Sequence, residues 1–166
     1  MIVRFRPELA PHFERLNREW LERYFAVEPK DEQYFADPAA TILRPGGAIF
    51  FAVEGDEPIG TAAAIRYDAD TFELGKMAVT TRCQGLGYGK ALAEAVIGYA
   101  AEAGARRVVL VSDTKLPAAI RLYERLGFRH APPPGATGYT RGDVFMELYS
   151  SDSLALISNR GSRSEH

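Results

Sequence analysis

Residues 82–92 read Arg82-Cys83-Gln84-Gly85-Leu86-Gly87-Tyr88-Gly89-Lys90-Ala91-Leu92, with an apolar strand pattern before them and a helical pattern after them. Glycines let a backbone turn tightly and approach a ligand closely. The first N–H groups of a helix have no internal acceptor, and the helix dipole adds positive potential around them. This strand-to-helix corner is therefore predicted to bind phosphate oxygens through its main chain.

Two nucleotide-binding loops are excluded by spacing. A Rossmann loop needs G-x-G-x-x-G in an early βαβ unit, whereas this loop has G-x-G-x-G and follows several strand patterns. A P-loop needs Ser or Thr after its lysine, and Lys90 is followed by Ala91. A glycine-rich turn that only caps a helix, and a phosphate loop of another kind, both stay open.

Hydrophobic periodicity predicts an α/β (α+β) fold with a mixed sheet. Short apolar runs bounded by turn signals predict strands at 2–5, 48–54, 59–66, 72–79, 108–111, from 128, and at 144–149. Apolar residues three and four apart predict helices at 8–25, 31–36, 92–103 and 117–126. The continuous apolar run at 108–111 is typical of a buried, parallel strand.

Length and composition predict one domain. The chain has 166 residues, 46% of them hydrophobic, which is enough for one core. We assign residues 1–149 to this domain. Residues 150–166 are rich in serine and are expected to form a loosely ordered tail.

Charge and cysteine content narrow the function classes. A formal net charge of -2 disfavours nucleic acid as a partner. The single cysteine, Cys83, cannot form an internal disulfide, which fits a reducing cytoplasm. Neither a signal-peptide pattern nor a membrane-spanning run is visible. We expect a cytoplasmic protein without a membrane partner, and without a metal, because its three histidines lack ligand spacing.

The glycine loop is similar to the pyrophosphate loop of GNAT acetyltransferases, whose signature is Arg/Gln-x-x-Gly-x-Gly/Ala. Arg82, Gly85 and Gly87 match this signature. Residues 72–79 resemble the preceding strand of the family, and residues 119–128 resemble its later A-x-x-L-Y-x-x-x-G-F element. The resemblance covers roughly residues 1–149, with one departure at 116, where leucine replaces a frequent asparagine.

The resemblance implies a mostly antiparallel GNAT sheet with helices on both faces, and an acetyl-coenzyme A-dependent N-acetyltransferase. Backbone N–H groups of the loop would hold the pyrophosphate of acetyl-coenzyme A. The backbone of Met77 and Val79 would pair with the pantetheine arm, and the Met77 N–H would polarise the thioester carbonyl. The implied cofactor-binding residues are Met77, Ala78, Val79, Arg82, Gln84, Gly85, Leu86, Gly87, Tyr88, Gly89 and Lys90.

Acetyl transfer needs a neutral amine and stabilisation of the thiolate that leaves. A lysine-like amine with a pKa of ~10.4 is neutral in about one molecule in 2,500 at pH 7, so deprotonation costs roughly 4.6 kcal/mol. Glu73 lies six residues before Val79, the spacing of the general-base glutamate in histone-type members. With strict alternation Glu73, Gly75, Met77 and Val79 share one face, unless a bulge intervenes. Tyr123 matches the family tyrosine that donates to the leaving sulfur.

The acceptor side is less defined. The acceptor is a small-molecule or protein amine, and a homodimer is compatible with the family. Lys76 is expected either to pair with Glu73 or to be exposed. Two alternatives stay open: a non-catalytic acyl-coenzyme A sensor, and a transferase for another acyl group. Residues expected near the acceptor groove are Trp20, Tyr24, Tyr34, Tyr139 and Arg141, with helix packing as the first expectation for Trp20.

Overall fold

The computed structural model describes residues 1–133, 135 and 137–149. The predicted tail at 150–166 lies outside the described residues, as do Pro134 and Ala136 in the proline-rich loop. Within the described part of the chain, seven strands form one sheet.

The strands and helices follow the predicted order. The strands are β1 (Ile2–Arg4), β2 (Ala48–Glu54), β3 (Glu57–Arg66), β4 (Thr71–Val79), β5 (Arg107–Ser112), β6 (Arg129–His130) and β7 (Val144–Tyr149). The helices are α1 (Ala10–Tyr24), α2 (Pro29–Ala36), α3 (Tyr88–Glu102) and α4 (Pro117–Arg125). Short 3-10 turns occupy Pro7–Leu9 and Thr81–Cys83, and a π-helical turn occupies Ala39–Leu43.

The sheet is mixed and mostly antiparallel, as predicted. Its order is β1-β2-β3-β4-β5-β7-β6. Among the described strands only β4 and β5 pair in parallel, while β5 pairs antiparallel with β7. The prediction of a parallel strand at 108–111 therefore holds on one of its two sides.

Helices cover both faces of this sheet, as predicted, and each face has its own apolar core. On one face α3 and α4 pack on the larger core, which contains Leu92 and Tyr123. On the other face α1 and α2 pack on a second core, which contains Phe13 and Phe35. Both faces are therefore closed, and access to the middle of the sheet depends on gaps between strands.

One such gap lies between the two parallel strands. β4 and β5 pair only from Thr71↔Arg107 to Glu73↔Val109. Beyond these three pairs, no described residue pairs as a strand with the facing edges of β4 and β5. The split that results connects the two faces of the sheet.

A β-bulge in β4 changes which residues face each core. Thr61 pairs with Ala78 and Ala63 with Gly75, so three steps in β4 oppose two steps in β3. Lys76 sits in this bulge with φ 50°, a conformation that non-glycine residues rarely adopt.

The bulge corrects one prediction. Before it, Leu74 contributes to the α3 core; after it, Ala78 contributes to the α1 core and Met77 and Val79 pack against the α3 core. The strict alternation that places Glu73 on the face of Met77 and Val79 is therefore wrong. Glu73 faces α1 and α2 instead.

Candidate active site

A cavity of about 740 Å³ follows the split between β4 and β5. The glycine loop and α4 border it on one face of the sheet. The end of α1 and the segment before β7 border it on the other. A ligand in this cavity can therefore be reached from both faces.

The glycine corner opens into this cavity. Gly85 and Gly87 have φ values of 79° and 90°, which favour glycine, and an added Cβ at either would meet no atom of another described residue within 4 Å. The 15-residue helix α3 starts at Tyr88 without a side-chain cap.

The main-chain donors of this corner are free to bind a ligand. Ala91 donates to the carbonyl of Gly87. Among the described residues, the N–H groups of residues 85 to 90 have no acceptor. These six donors lie at the positive end of a helix dipole, an arrangement that binds phosphate oxygens.

The predicted cofactor-binding residues fall into two groups. Those that line the cavity are Met77, Ala78, Val79, Gln84, Gly85, Gly87, Gly89 and Lys90. Arg82, Leu86 and Tyr88 do not line it. Arg82 contacts Glu57 at 2.7 Å and the Tyr88 hydroxyl donates to Glu54 at 3.1 Å, so both side chains fasten the loop to the β2–β3 hairpin.

Glu73 lies at the cavity with a single hydrogen-bond partner among the described residues. The hydroxyl of Tyr67 donates to its Oε2 at 2.9 Å. Burial raises the pKa of Glu73, and Tyr67 with the charges of Lys30 and Lys76 opposes only part of this rise. A carboxylate with a raised pKa and a free oxygen can accept a proton near neutral pH.

Gly75 makes room for this carboxylate. An added Cβ at Gly75 would lie 3.5 Å from the Glu73 Cδ and 3.2 Å from Ile65 Cδ1. The Glu73 side chain therefore folds back over Gly75 on the α1 face.

Tyr123, on α4, is only 8% exposed, and its ring packs edge-on against the ring of Phe128. In the described part of the chain, every fully buried side-chain polar atom has a hydrogen-bond partner, whereas the Tyr123 hydroxyl has none. This hydroxyl is therefore not fully buried, and because Tyr123 lines the cavity, the hydroxyl reaches it. Burial raises the pKa of Tyr123 well above its usual value, so the phenol stays protonated.

A buried charge cluster joins three segments beside the cavity. The Asp31 carboxylate, in α2, is fully buried and accepts hydrogen bonds from Arg141 at 2.7 and 2.8 Å and from Lys76. Burial alone would raise the pKa of Asp31, but Arg141 and Lys76 hold it at about 2. Both predictions for Lys76 are wrong, because it is nearly buried and contacts Asp31 instead of Glu73.

Comparison with known proteins assigns the family. Residues 13–128 match the acetyltransferase (GNAT) family. This chain belongs to that family. The family predicted from the glycine loop and its neighbours is thereby confirmed, and the predicted enzyme class and cofactor are those of the GNAT family.

The curated relatives are longer proteins. The N-acetylaspartate synthetase of Homo sapiens is 36% identical over 115 residues, which cover 68% of this chain and 36% of that protein. That of Danio rerio is 40% identical over 96 residues, covering 57% of this chain and 34% of that protein. The chain spans about a third of the length of these relatives.

Solved structures share the GNAT fold. A GNAT-family acetyltransferase from Staphylococcus aureus superposes with a TM-score of 0.81 at 20% identity, covering 90% of this chain and 98% of that one. An acetyltransferase from Salmonella typhimurium, solved with acetyl-coenzyme A, superposes with a TM-score of 0.73 at 21% identity, covering 90% and 93%. At these identities the likeness concerns the fold alone.

One end of the cavity, where the sequence predicts the acceptor groove, is lined by aromatic and cationic side chains. Trp20, Tyr24, Tyr139 and Arg141 line it, and Trp20 also packs against the α1 core. Tyr34 does not line the cavity. Sequence reasoning did not find Tyr67, which contacts the predicted base, or Asp31, which contacts Lys76. Tyr67 lies in a turn that carries no motif, and 45 residues separate Asp31 from Lys76.

In residues 1–133, 135 and 137–149, no group of three or more His, Cys, Asp or Glu side chains is placed to hold a metal. No helix in this part of the chain is long and apolar enough to cross a bilayer.

Proposed function

We propose that this protein transfers an acetyl group from acetyl-coenzyme A to a primary amine. The observation that carries this proposal is the row of six N–H groups at residues 85–90, which have no acceptor in the described part of the chain and lie at the cavity between β4 and β5. Family membership supports the same reaction.

The cavity suits a pyrophosphate with a long, flexible arm. The free donors and the positive helix end would hold the pyrophosphate. Within the described residues, the split leaves one edge of residues 74–79 without a strand partner, so the arm can add to β4 as an extra strand would. The carbonyl of Val79 already accepts from the Gln84 side chain at 3.2 Å, which closes the strand against the loop.

When bound, acetyl-coenzyme A supplies an activated acetyl thioester. Glu73 takes the proton of the acceptor ammonium, directly or through one water. Its position on the α1 face brings the amine in from that side, while the phosphate corner lies on the α3 side. The backbone N–H of Met77, on the strand edge, polarises the carbonyl oxygen.

Tyr123 donates to the leaving sulfur. Its hydroxyl reaches the cavity and stays protonated over the whole range in which an amine acceptor is used. A thiolate has a conjugate acid with a pKa of about 8.5, so a phenol donor stabilises it as the bond breaks.

The acceptor is a primary amine of a small molecule or a protein. The curated relatives are named for N-acetylaspartate, which makes aspartate the first acceptor to test. A polyamine and a lysine peptide represent the other classes.

The test is release of free thiol from acetyl-coenzyme A with this amine panel, together with calorimetric binding of coenzyme A. We expect coenzyme A to bind and at least one amine to accelerate thiol release in the parent but not in Glu73→Gln. A protein that fails to bind coenzyme A refutes the proposal. Binding without acceleration by any amine favours an acyl-coenzyme A sensor.

Three further properties belong to this proposal. We propose that residues 1–149 form the acetyltransferase domain and 150–166 its tail, and that the protein is cytoplasmic and has no nucleic-acid partner. The single buried Cys83 and the net charge of -2 support a cytoplasmic, non-nucleic-acid-binding protein. Size-exclusion chromatography distinguishes a monomer from a homodimer.

A further inference from the structure

The bulge in β4 brings a cation to the face of the proposed base. Without it, alternation would place Lys76 on the face opposite Glu73. With it, the Lys76 ammonium lies on the α1 face, between Asp31 and the hydroxyl of Tyr139, to which it donates at 2.7 Å. Glu73 and Lys76 therefore share one side of the sheet, and each influences the charge of the other.

A direct Lys76–Glu73 ion pair would oppose general-base catalysis. An opposite charge within about 4–6 Å lowers a carboxyl pKa by about 1–3 units. The pair would also occupy the oxygen that Tyr67 leaves free. Because the Lys76 side chain is nearly buried and Glu73 is partly buried, their attraction would be screened less than that of a surface pair.

Each cation of this region has a partner other than Glu73. Lys76 contacts Asp31, and Lys30 donates to the carbonyl of Thr137 at 2.6 Å. Arg141 contacts Asp31 and also Glu28 at 3.1 Å. The titratable and charged groups that face Glu73 or Lys76 from the packed elements are Tyr67, Lys30, Asp31, Tyr34, Tyr139 and Arg141.

We propose that Asp31 is a positioning residue that binds Lys76 and thereby keeps Glu73 free to accept the proton of the amine. Asp31 is fully buried and does not line the cavity, so it acts through Lys76 and not on the substrate. The inference rests on the proposed role of Glu73. It adds a function for a charge cluster that acetyl transfer itself does not require.

The experiment measures the pKa of Glu73 by carboxyl ¹³C NMR in the parent, Asp31→Asn, Lys76→Met and the double variant. In Asp31→Asn, Lys76 is expected to turn to Glu73 and lower the pKa of Glu73 by about 1 unit or more. In Lys76→Met the pKa of Glu73 is expected to rise, because a nearby positive charge is removed. The double variant should match Lys76→Met.

Activity follows the same pattern. The acid limb of the kcat/KM profile should move to lower pH in Asp31→Asn, with kcat reduced about tenfold or more, because a paired, less basic carboxylate accepts protons poorly. Removing Lys76 as well should restore kcat to the level of Lys76→Met. Rescue by a second substitution separates this role from a purely structural one.

Glu32→Gln is the matched control. Glu32 lies next to Asp31 on α2 and pairs with Arg18 at the surface, with 52% of its side chain exposed. The control should leave the Glu73 pKa and the pH profile unchanged.

An unchanged Glu73 pKa in Asp31→Asn, or a double variant that stays as slow as Asp31→Asn, overturns the proposal. If Asp31→Asn does not fold, the test is the comparison of Lys76→Met with the double variant. Different Glu73 pKa values in these two variants overturn the proposal. The NMR readout needs no turnover. A parent without acetyl transfer but with the expected pKa pattern would refute the proposed function and leave the positioning role standing.

Discussion

Substituting Gly87 by alanine isolates the phosphate corner. Gly87 has φ 90°, and a non-glycine residue in the left-handed region costs roughly 1–2 kcal/mol. An added Cβ meets no atom of another described residue within 4 Å, so the expected loss of stability comes from the backbone conformation. We expect the free energy of unfolding of Gly87→Ala to fall by about this amount.

The same substitution should weaken coenzyme A binding more strongly than it destabilises the fold. Relief of the strain turns the peptide and misdirects at least one of the N–H donors at 85–90. A hydrogen bond to a charged group contributes about 1.5–3 kcal/mol, so the dissociation constant should rise about 10- to 150-fold.

Two alanine variants provide the controls. Gly55 has φ 62° and equally open surroundings, but it lies in the β2–β3 turn. Gly55→Ala should therefore lose similar stability while binding coenzyme A normally. Gly98→Ala, inside α3 with no atom within 4 Å of the new Cβ, should gain roughly 0.5–1 kcal/mol without a change in affinity.

Urea unfolding gives the stabilities and isothermal titration calorimetry gives the affinities. Parent-like binding by Gly87→Ala would show that the corner does not hold the pyrophosphate. An equal loss of affinity in Gly55→Ala would show that strain anywhere in the fold is sufficient.

Three further substitutions test the side chains. Tyr123→Phe should lower kcat far more than coenzyme A affinity, and equal turnover in both proteins would remove Tyr123 from the reaction. Glu73→Gln should lower kcat by about 10²–10⁴-fold. Because burial raises the pKa of Glu73, the parent loses stability as the pH rises through that pKa. The stability of Glu73→Gln should therefore increase relative to that of the parent above this pKa. A difference in stability that is constant from pH 4 to pH 9 contradicts this. Asp31, held at a pKa of about 2 against an ordinary 3.8, contributes about 2 kcal/mol that is present above pH 4 and lost as the pH falls towards 2. In urea unfolding, the parent should exceed Asp31→Asn in free energy of unfolding by about 2 kcal/mol less at pH 2 than at pH 5. A difference that is as large at pH 2 as at pH 5 would contradict the low pKa of Asp31.

Local sequence patterns predict the type and order of most helices and strands. The apolar runs at 48–54 and 144–149 match β2 and β7 to the residue, because turn signals flank both. The sequence pattern predicts that α2 starts at Asp31, which is two residues too late. Asp31 is the third helical residue of a capping box with Glu28, so the helix begins at Pro29.

The site was only partly predictable. The glycine corner is contiguous in sequence, and its residue types dictate its conformation. The side-chain direction after residue 75 depends on one inserted residue in β4, which period-two reasoning does not detect. The Asp31–Lys76–Arg141 contact joins segments up to 110 positions apart, and only the assembled sheet brings them together.

The short parallel pairing of β4 and β5 also bears on self-association. A strand edge without a partner normally recruits a strand from another molecule and can start aggregation. Here residues 74–79 line the cavity, with residues of α1 on one side and residues of α4 on the other. A strand from another molecule would have to enter between these helices to pair with β4, so the fold shields this edge from neighbouring copies of the protein.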